Sequence, residues 1–213
     1  MYVRLARLNK FEYKILQLIK FGKERIKMNI MIVGVGGQGT LLASRILGKV
    51  AIKEGYDVKV SEVHGMSQRG GSVVTYVKYG DKVYSPIIDK GEADLILAFE
   101  MLEAMRALPF LKKGGRMIAN TQRMNPMPVI TGAMEYPENI QDKIAAKADL
   151  VAVDALSLAE KAGTIKAVNV VLIGLLAKSM NVDKNVWIET IKETVPEKFI
   201  DLNLKAFDMG YNL

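Results

Sequence analysis

Short apolar runs alternate with stretches of helical periodicity along most of the chain. Residues 40–54 place apolar side chains at helical spacing between two such runs, and Gly55 provides a stop for the predicted helix. This alternation is typical of an α/β fold with a mostly parallel sheet. The runs that predict strands are Asn29–Val35, Val58–Val63, Ser72–Tyr79, Lys82–Ile88, Ala93–Phe99, Arg116–Asn120 and Leu150–Val153.

Two of these runs are close enough in sequence to form a hairpin. Ser72–Tyr79 is rich in Val, Thr and Tyr, and a Gly80-Asp81 turn separates it from Lys82–Ile88. We therefore predict that these two runs pair antiparallel and that the sheet is mixed. A later loop with Pro126 and Pro128 is expected to lack regular structure, because proline removes a backbone donor.

Helical spacing recurs in the second half of the chain and dominates its end. The pattern predicts a doubly wound, Rossmann-like α/β fold: a mostly parallel sheet with an antiparallel hairpin and a C-terminal helical cap. The helices are predicted at Met101–Lys112, Asp142–Lys147, Ala155–Lys161, Lys166–Met180 and from Asn185 onward with an interruption at Pro196.

The composition narrows the chemistry that this chain can perform alone. Its 213 residues, half of them hydrophobic, suffice for one substantial core. The absence of cysteine excludes disulfides and cysteine-ligated iron–sulfur clusters, and a single histidine, His64, argues against a self-contained zinc site. Charges interrupt every apolar stretch before the roughly 18 residues of a membrane span, and the start lacks a signal-peptide pattern, so the expected address is the cytoplasm.

The positive charge is concentrated at the start of the chain. Residues 1–27 hold eight basic and two acidic side chains, so they supply +6 of the net charge of +7. We expect a basic extension over 1–27 and one domain over 28–213, and no nucleic-acid binding by that nearly neutral domain. The extension could be an amphipathic helix that binds a partner, a membrane surface or nucleic acid, a solvated tail, or the product of a start codon placed upstream of Met28.

The first glycine-rich segment follows the first predicted strand directly. Gly34, Gly36 and Gly39 fit the pattern G-x-G-x-x-G, in which glycines permit a tight turn and a close approach of phosphate. The helix that follows, from Thr40, would direct its first N–H groups at an anion. A glycine turn needed only for packing is the alternative interpretation.

The second glycine-containing segment, His64–Gly71, follows the second predicted strand. If the two strands run parallel, both segments emerge at the same carboxyl edge of the sheet, where open α/β sheets bind ligands. Arg69 could pair with a phosphate or carboxylate, or form a structural salt bridge. Glu62 lies 23 residues after Gly39 and could hold ribose hydroxyls, so a dinucleotide is an alternative ligand, although the polar loop after it suits an anion or a partner's backbone better.

Together the two segments resemble a known family. Val33–Gly39 and Glu62–Gly71 look like the gamma subunit or domain of 2-oxoacid:ferredoxin oxidoreductases, and His64–Gly71 is similar to the form found in the small beta subunit of indolepyruvate:ferredoxin oxidoreductase. The resemblance runs from about Met28 to the last helices. Further residues that agree with the family are Glu100, Glu103, Asn120 and Asn169.

The resemblance implies that this chain is one subunit of an enzyme whose cofactors lie on another subunit. It implies oxidative decarboxylation of a 2-oxoacid to an acyl-CoA, with thiamine diphosphate, magnesium and iron–sulfur clusters on a larger partner subunit that passes electrons to ferredoxin. This chain would add a wall of the active site and part of the coenzyme A site, and would be inactive alone. The alternatives are a free-standing NAD- or FAD-binding enzyme and a nucleotide-sensing module.

The site residues predicted on these grounds share the two glycine segments and one strand end. His64 is a candidate proton donor, although a lone histidine beside a strand end is more often a structural hydrogen-bonding group. The expected cofactor-binding residues are Gly34, Gly36, Gly37, Gln38, Gly39, Thr40, Glu62, Met66, Ser67, Gln68, Arg69, Gly70, Gly71 and Asn120.

Overall fold

A computed structural model describes residues 27–65 and 70–213 of the chain. The expectations for the basic extension, apart from Lys27, and for Met66, Ser67, Gln68 and Arg69 lie outside the described residues. They stay predictions.

Six strands form one mixed sheet at the centre of the described fold. Their order across the sheet is the second, third, first, fourth, fifth and sixth strand of the chain. The first, fourth, fifth and sixth pair in parallel, whereas the third is antiparallel to both of its neighbours. The strands are β1 (Met28–Val35), β2 (Asp57–His64), β3 (Ser72–Gly80), β4 (Ala93–Ala98), β5 (Leu111–Asn120) and β6 (Asp149–Val153).

The described residues contain eight α-helices, and all but the one-turn helix Met127–Ile130 contribute to the cores on the two faces of this sheet. The helices are α1 (Thr40–Lys53), α2 (Met101–Ala107), α3 (Met127–Ile130), α4 (Ile140–Ala145), α5 (Ala155–Ala162), α6 (Val168–Lys178), α7 (Lys184–Lys192) and α8 (Ile200–Tyr211). Residues of α1 and α5–α8 build the larger core, and residues of α2 and α4 build a smaller core on the other face. The predicted doubly wound α/β fold with a C-terminal helical cap is thereby confirmed.

The helical cap is held by an unusually close helix crossing. The buried helix α6 meets α8 at two glycines, so that a Cβ atom at Gly174 would lie 2.2 Å from the carbonyl oxygen of Phe207, and one at Gly210 would lie 1.9 Å from that of Val171. Only glycine allows the two backbones to approach this closely. The crossing fixes the start of α6 beside the first glycine segment.

The predicted hairpin between Ser72–Tyr79 and Lys82–Ile88 is wrong. The antiparallel hairpin is formed by β2 and β3, and β3 pairs with β1 on its other side, so neither edge of β3 is left for residues 82–88. Isolated hydrogen bonds hold that segment in place. The Asp57 carboxylate accepts from Val83 N at 2.8 Å, and Lys78 Nζ donates to Ile87 O at 2.7 Å.

Prolines explain two further differences from the sequence expectation. The helix predicted to Lys112 ends at Ala107, because Pro109 opens a short 3-10 turn, Leu108–Phe110, and β5 begins directly after it. The proline loop expected to be irregular contains the one-turn helix α3, because proline is tolerated in the first turn of a helix.

Candidate functional site

The glycine loop between β1 and α1 is built so that only glycine fits at its closing position. Gly39 precedes α1 with a left-handed φ of 83°, and a Cβ atom there would lie 2.5 Å from Asn169 Nδ2 on α6. The Asn169 amide donates to Gly39 O at 3.4 Å. Glycine at position 39 is therefore required both by the turn and by the close packing of α6.

Gln38 holds the loop against the sheet. Its Oε1 accepts from Val35 N at 2.7 Å, and its Nε2 donates to Phe99 O at 3.1 Å and lies 3.4 Å from Gln122 Oε1. The side chain thus links the ends of β1 and β4. Its hydrogen bonds are those of a positioning residue, and it also borders the open space beside the loop.

The start of α1 is suited to an anion. No side chain caps it, no acidic residue occupies its first turn, and the N–H groups of that turn have no acceptor within the helix. These N–H groups carry the positive end of the helix dipole, which favours negative charge. A phosphate or carboxylate at this position would supply the cap that the sequence omits.

The two glycine segments meet at one edge of the sheet. β1 and β2 run in the same direction, with β3 between them, so their carboxyl ends lie together. Gly36 N donates to Gly71 O at 2.8 Å, and Gly70 N donates to Gly36 O at 3.5 Å. This contact confirms the expected juxtaposition for the described ends of the second segment.

A first cleft of about 410 Å³ opens between the glycine loop and the β2–β3 hairpin. Its wall includes Gly36, Thr40, Glu62 and His64, which the structure therefore brings together. The Glu62 carboxylate accepts from Thr75 Oγ1 at 3.2 Å, and the exposed His64 has Nδ1 3.3 Å from Gly65 O. Both side chains have local partners and both border the open space.

The topology weakens the dinucleotide alternative. A ribose-binding acid belongs at the end of the strand next to β1, about 5 Å away. Here β3 occupies that place, and Glu62 lies on β2, two strand spacings or about 10 Å from β1. The spacing along the sequence matched the dinucleotide pattern, but the strand order does not.

A second cleft of about 650 Å³ lies on the other side of the glycine loop. The sequence analysis did not predict the residues that line this cleft between the end of β5 and the start of α6. Their positions could have been found from topology alone, because segments that follow parallel strands gather at the same edge. Besides the loop and Gly70, the lining residues are Gln122, Met124, Leu156, Ile165, Lys166 and Val168.

Asn120 lies beneath this edge. Its side chain is completely buried: Nδ2 donates to Phe99 O at 3.2 Å and lies 3.3 Å from Gln122 Oε1, and Oδ1 accepts from Ala155 N at 3.1 Å. The amide thus joins β4, β5 and α5. The sequence predicts a direct contact between Asn120 and a ligand. Because these neighbours surround the buried amide, a ligand could reach it only by displacing them.

Two buried carboxylates fix the neighbouring loop. Glu100 caps α2 by accepting from Glu103 N at 2.9 Å, and its other oxygen accepts from Met124 N at 3.0 Å and Tyr136 Oη at 2.7 Å. Burial and the hydrogen bond to Glu100 raise the pKa of the Tyr136 hydroxyl. Glu103 accepts from Ser72 Oγ at 2.6 Å. Glu100 therefore caps α2 and also anchors the segment that carries Met124.

Two kinds of feature are absent from the described residues. Across 27–65 and 70–213 there is no group of three or more His, Asp or Glu side chains placed to hold a metal ion. No helix in the same ranges is long and apolar enough to cross a membrane.

The geometry first defines a class of protein: an α/β domain that presents a glycine loop and an uncapped helix start at the carboxyl edge of its sheet. The family follows from comparison with known sequences. Residues 29–213 match the family described as pyruvate ferredoxin/flavodoxin oxidoreductase, and the chain belongs to this family. The resemblance drawn from the two glycine segments is confirmed.

Individual relatives agree with this assignment. The chain is 45% identical over 190 residues to indolepyruvate oxidoreductase subunit IorB of Pyrococcus horikoshii, covering 85% of this chain and 93% of that one. The gamma subunit of a keto/oxoacid ferredoxin oxidoreductase from Geobacter sulfurreducens is 26% identical, with a TM-score of 0.65 over 87% of this chain and 96% of that one.

A larger enzyme contains the same fold. The 2-oxoglutarate:ferredoxin oxidoreductase from Magnetococcus marinus, solved with 2-oxoglutarate, coenzyme A and succinyl-CoA bound, matches with a TM-score of 0.66 at 18% identity. The match covers 87% of this chain and 30% of that one.

Proposed function

We propose that this chain is the small subunit of an indolepyruvate-type 2-oxoacid:ferredoxin oxidoreductase, which oxidatively decarboxylates an arylpyruvate to an acyl-CoA in the cytoplasm. The observation that carries the proposal is the 45% identity to an indolepyruvate oxidoreductase subunit along nearly the whole of both chains. Thiamine diphosphate, magnesium and the iron–sulfur clusters belong to a larger partner subunit, and ferredoxin is reduced through that subunit.

The residues of this chain support that division. It has no cysteine to ligate a cluster, and Gly80-Asp81-Lys82 does not fit the Gly-Asp-Gly and following Asn that bind thiamine diphosphate and magnesium in such enzymes. Oxidation chemistry of this kind is carried by cofactors, while protein groups bind and orient. The part left to this subunit is binding.

Coenzyme A fits the glycine loop. Its phosphates match the N–H groups at the start of α1, where the helix has neither a side-chain cap nor an acid in its first turn. When bound, coenzyme A supplies the thiol that accepts the acyl group. In this proposal the loop backbone binds phosphate, Gln38 and Asn120 position the loop, and Gln68 and Arg69 reach toward the coenzyme, the substrate or the partner.

The proposal is tested by recovering the chain from its native host under anaerobic conditions. We expect it to co-purify with a larger iron–sulfur, thiamine-dependent subunit and the complex to reduce a dye with indolepyruvate and coenzyme A. The chain purified alone serves as the control and should be inactive. Turnover by the chain alone, or recovery of the chain alone with a tightly bound dinucleotide, would contradict the proposal.

A further inference from the structure

The loop after β5 carries a cluster of exposed apolar side chains. Met127, Ile130 and Met134 are 67%, 64% and 64% exposed, and among the described residues only Tyr84 exposes a large apolar side chain more fully. All three lie in the segment 124–134, which contains no charged residue. An exposed apolar surface that lacks charge is typical of the core of a protein–protein interface, where methionine is also enriched.

Internal hydrogen bonds give the segment 124–134 a defined shape. Met127 and Ile130 lie three residues apart on α3 and therefore share one side of that helix. Beyond the helix, Met134 N donates to Pro128 O at 3.0 Å, so the chain folds back on itself. This bond brings Met134 beside α3, and the three apolar side chains belong to one compact loop.

The buried Glu100 holds the segment at both ends. One of its carboxylate oxygens accepts from Met124 N, at the first residue of the segment, at 3.0 Å. The same oxygen accepts from Tyr136 Oη, two residues beyond the last, at 2.7 Å. The guanidinium of Arg123 lies 4.1 Å from the centre of the Tyr136 ring. A surface that is already held in shape loses little conformational entropy when a partner binds to it.

The charges around the segment favour a protein partner over a membrane. Arg123 precedes the segment, and Glu135 and Glu138 follow it, all three exposed. Surfaces that bind anionic membranes combine apolar residues with an excess of lysine and arginine, whereas this rim has an excess of acid. A two-fold pairing of two copies would place the same acidic rim on both sides of the contact, which is unfavourable.

The place of the segment in the fold indicates which protein covers it. Met124 lines the second cleft, so the segment begins at the sheet edge that a larger subunit completes in the proposed function. In the Magnetococcus marinus enzyme the matching region is 30% of a longer chain, so further parts of that enzyme are joined to this fold.

We infer that the segment 124–134 is a docking surface for the larger, cofactor-bearing subunit, with Met127, Ile130 and Met134 buried at the centre of the contact. The inference rests on the proposed function, because it names the surface through which that subunit is bound. It also gives Glu100 a positioning role, since this carboxylate fixes both ends of the segment.

The test is anaerobic binding of the larger subunit to the immobilised full chain by biolayer interferometry. We expect Ile130→Glu to weaken binding at least about tenfold, because a carboxylate would be buried in the contact without a partner. Ile130→Leu keeps the apolar surface and should bind as the wild type does. Ile52→Glu is the matched control: Ile52, on α1, is 61% exposed and lies outside the segment, so the same substitution should leave binding unchanged.

The outcomes separate this inference from the proposed function. Wild-type affinity in both Ile130→Glu and Met127→Glu, with each variant shown to be folded by a thermal melt, overturns the docking surface and leaves the proposed function standing. Binding that depends on Ile130 in a complex without 2-oxoacid activity overturns the proposed function and keeps the surface. Failure of the wild-type chain to bind a larger subunit contradicts both.

Two further measurements address the other occupants. Self-association of the wild-type chain in sedimentation velocity that Ile130→Glu abolishes would assign the segment to a second copy. Flotation of the wild-type chain, but not of Ile130→Glu, with vesicles of phosphatidylcholine and phosphatidylserine would assign it to a membrane. Either result overturns the inference.

Discussion

At the scale of single residues, side chains at the site hold the glycine loop and the strand ends in place. Gln38 and Asn120 are both predicted to bind cofactor. Their side chains instead form hydrogen bonds at the ends of β1, β4 and β5. In the proposed function the groups that would bind an anion are the N–H groups in the first turn of α1, which has no side-chain cap. A sequence shows which side chains are present but not which backbone groups are free. Sequence analysis therefore identifies the residues that hold the site in place more readily than the groups that bind.

Gly36→Val and Arg69→Ala should both impair the assembled enzyme for different reasons. Gly36 borders both clefts, so a valine there would obstruct the anion, and we expect a loss of about tenfold or more in kcat/KM for coenzyme A. Arg69→Ala should cost a similar factor if its guanidinium pairs with an anion. Lys113→Ala, at the opposite edge of the sheet, is the control. Unchanged kcat/KM in both variants would remove the glycine-loop site.

Asp57 gives the fold a measurable acid dependence. Its hydrogen bond from Val83 N and its contact with Lys59 lower the pKa of the carboxyl below its ordinary value. The unfolded chain therefore takes up the proton first as pH falls, and the stabilisation, present above about pH 4, is lost as pH falls through the folded-state pKa. Asp57→Asn should make the decline of Tm between about pH 5 and pH 2 shallower. A parallel decline in both proteins would refute this role.

At the scale of elements, the positions of helices depend on close backbone contacts as much as on apolar faces. α6 is buried along nearly its whole length, so its sequence carries little sign of which side meets the sheet and which meets α8. Gly174 and Gly210 decide this by allowing the two helices to touch. The same crossing brings Asn169 against Gly39 and so connects the helical cap to the site.

Gly210→Ala should destabilise the fold, whereas Gly48→Ala should not. A Cβ atom at Gly210 would lie 1.9 Å from a backbone oxygen, so the helices must separate, at a cost of about 3 kcal/mol or more in the free energy of unfolding. At Gly48 on α1 the nearest atom would be 3.6 Å away, and replacing a helical glycine should stabilise by about 0.5–1 kcal/mol. Urea unfolding of both variants measures the difference, and equal free energies would contradict the crossing.

At the scale of the whole molecule, the proposed function makes the chain a binding subunit for chemistry that its partner performs. It belongs to an oxidoreductase family, and its own sequence lacks cysteine. Its contribution is therefore a shaped edge of a sheet that a larger subunit completes in the proposed enzyme. The two clefts beside the glycine loop give that edge two unlike sides, one with Glu62 and one with Lys166.

Removal of residues 1–26 should leave the folded domain and the activity of the complex intact. The family match starts at residue 29 and β1 starts at Met28, so the domain proposed over 28–213 keeps every described strand and helix. Thermal unfolding and the yield of complex with the large subunit should match those of the full chain. A lower yield of complex with unchanged Tm would assign partner binding to the extension.

The sequence by itself determined the alternation of strands and helices and the family. These follow from local facts: apolar periodicity and two glycine segments with fixed spacing. Only the tertiary structure decided that β3 lies between β1 and β2, that residues 82–88 form no strand, and that Lys166 and Gln122 join the site. The reason is physical: pairing of strands and the meeting of loops at a sheet edge depend on contacts between residues far apart in the chain, and local periodicity carries no record of them.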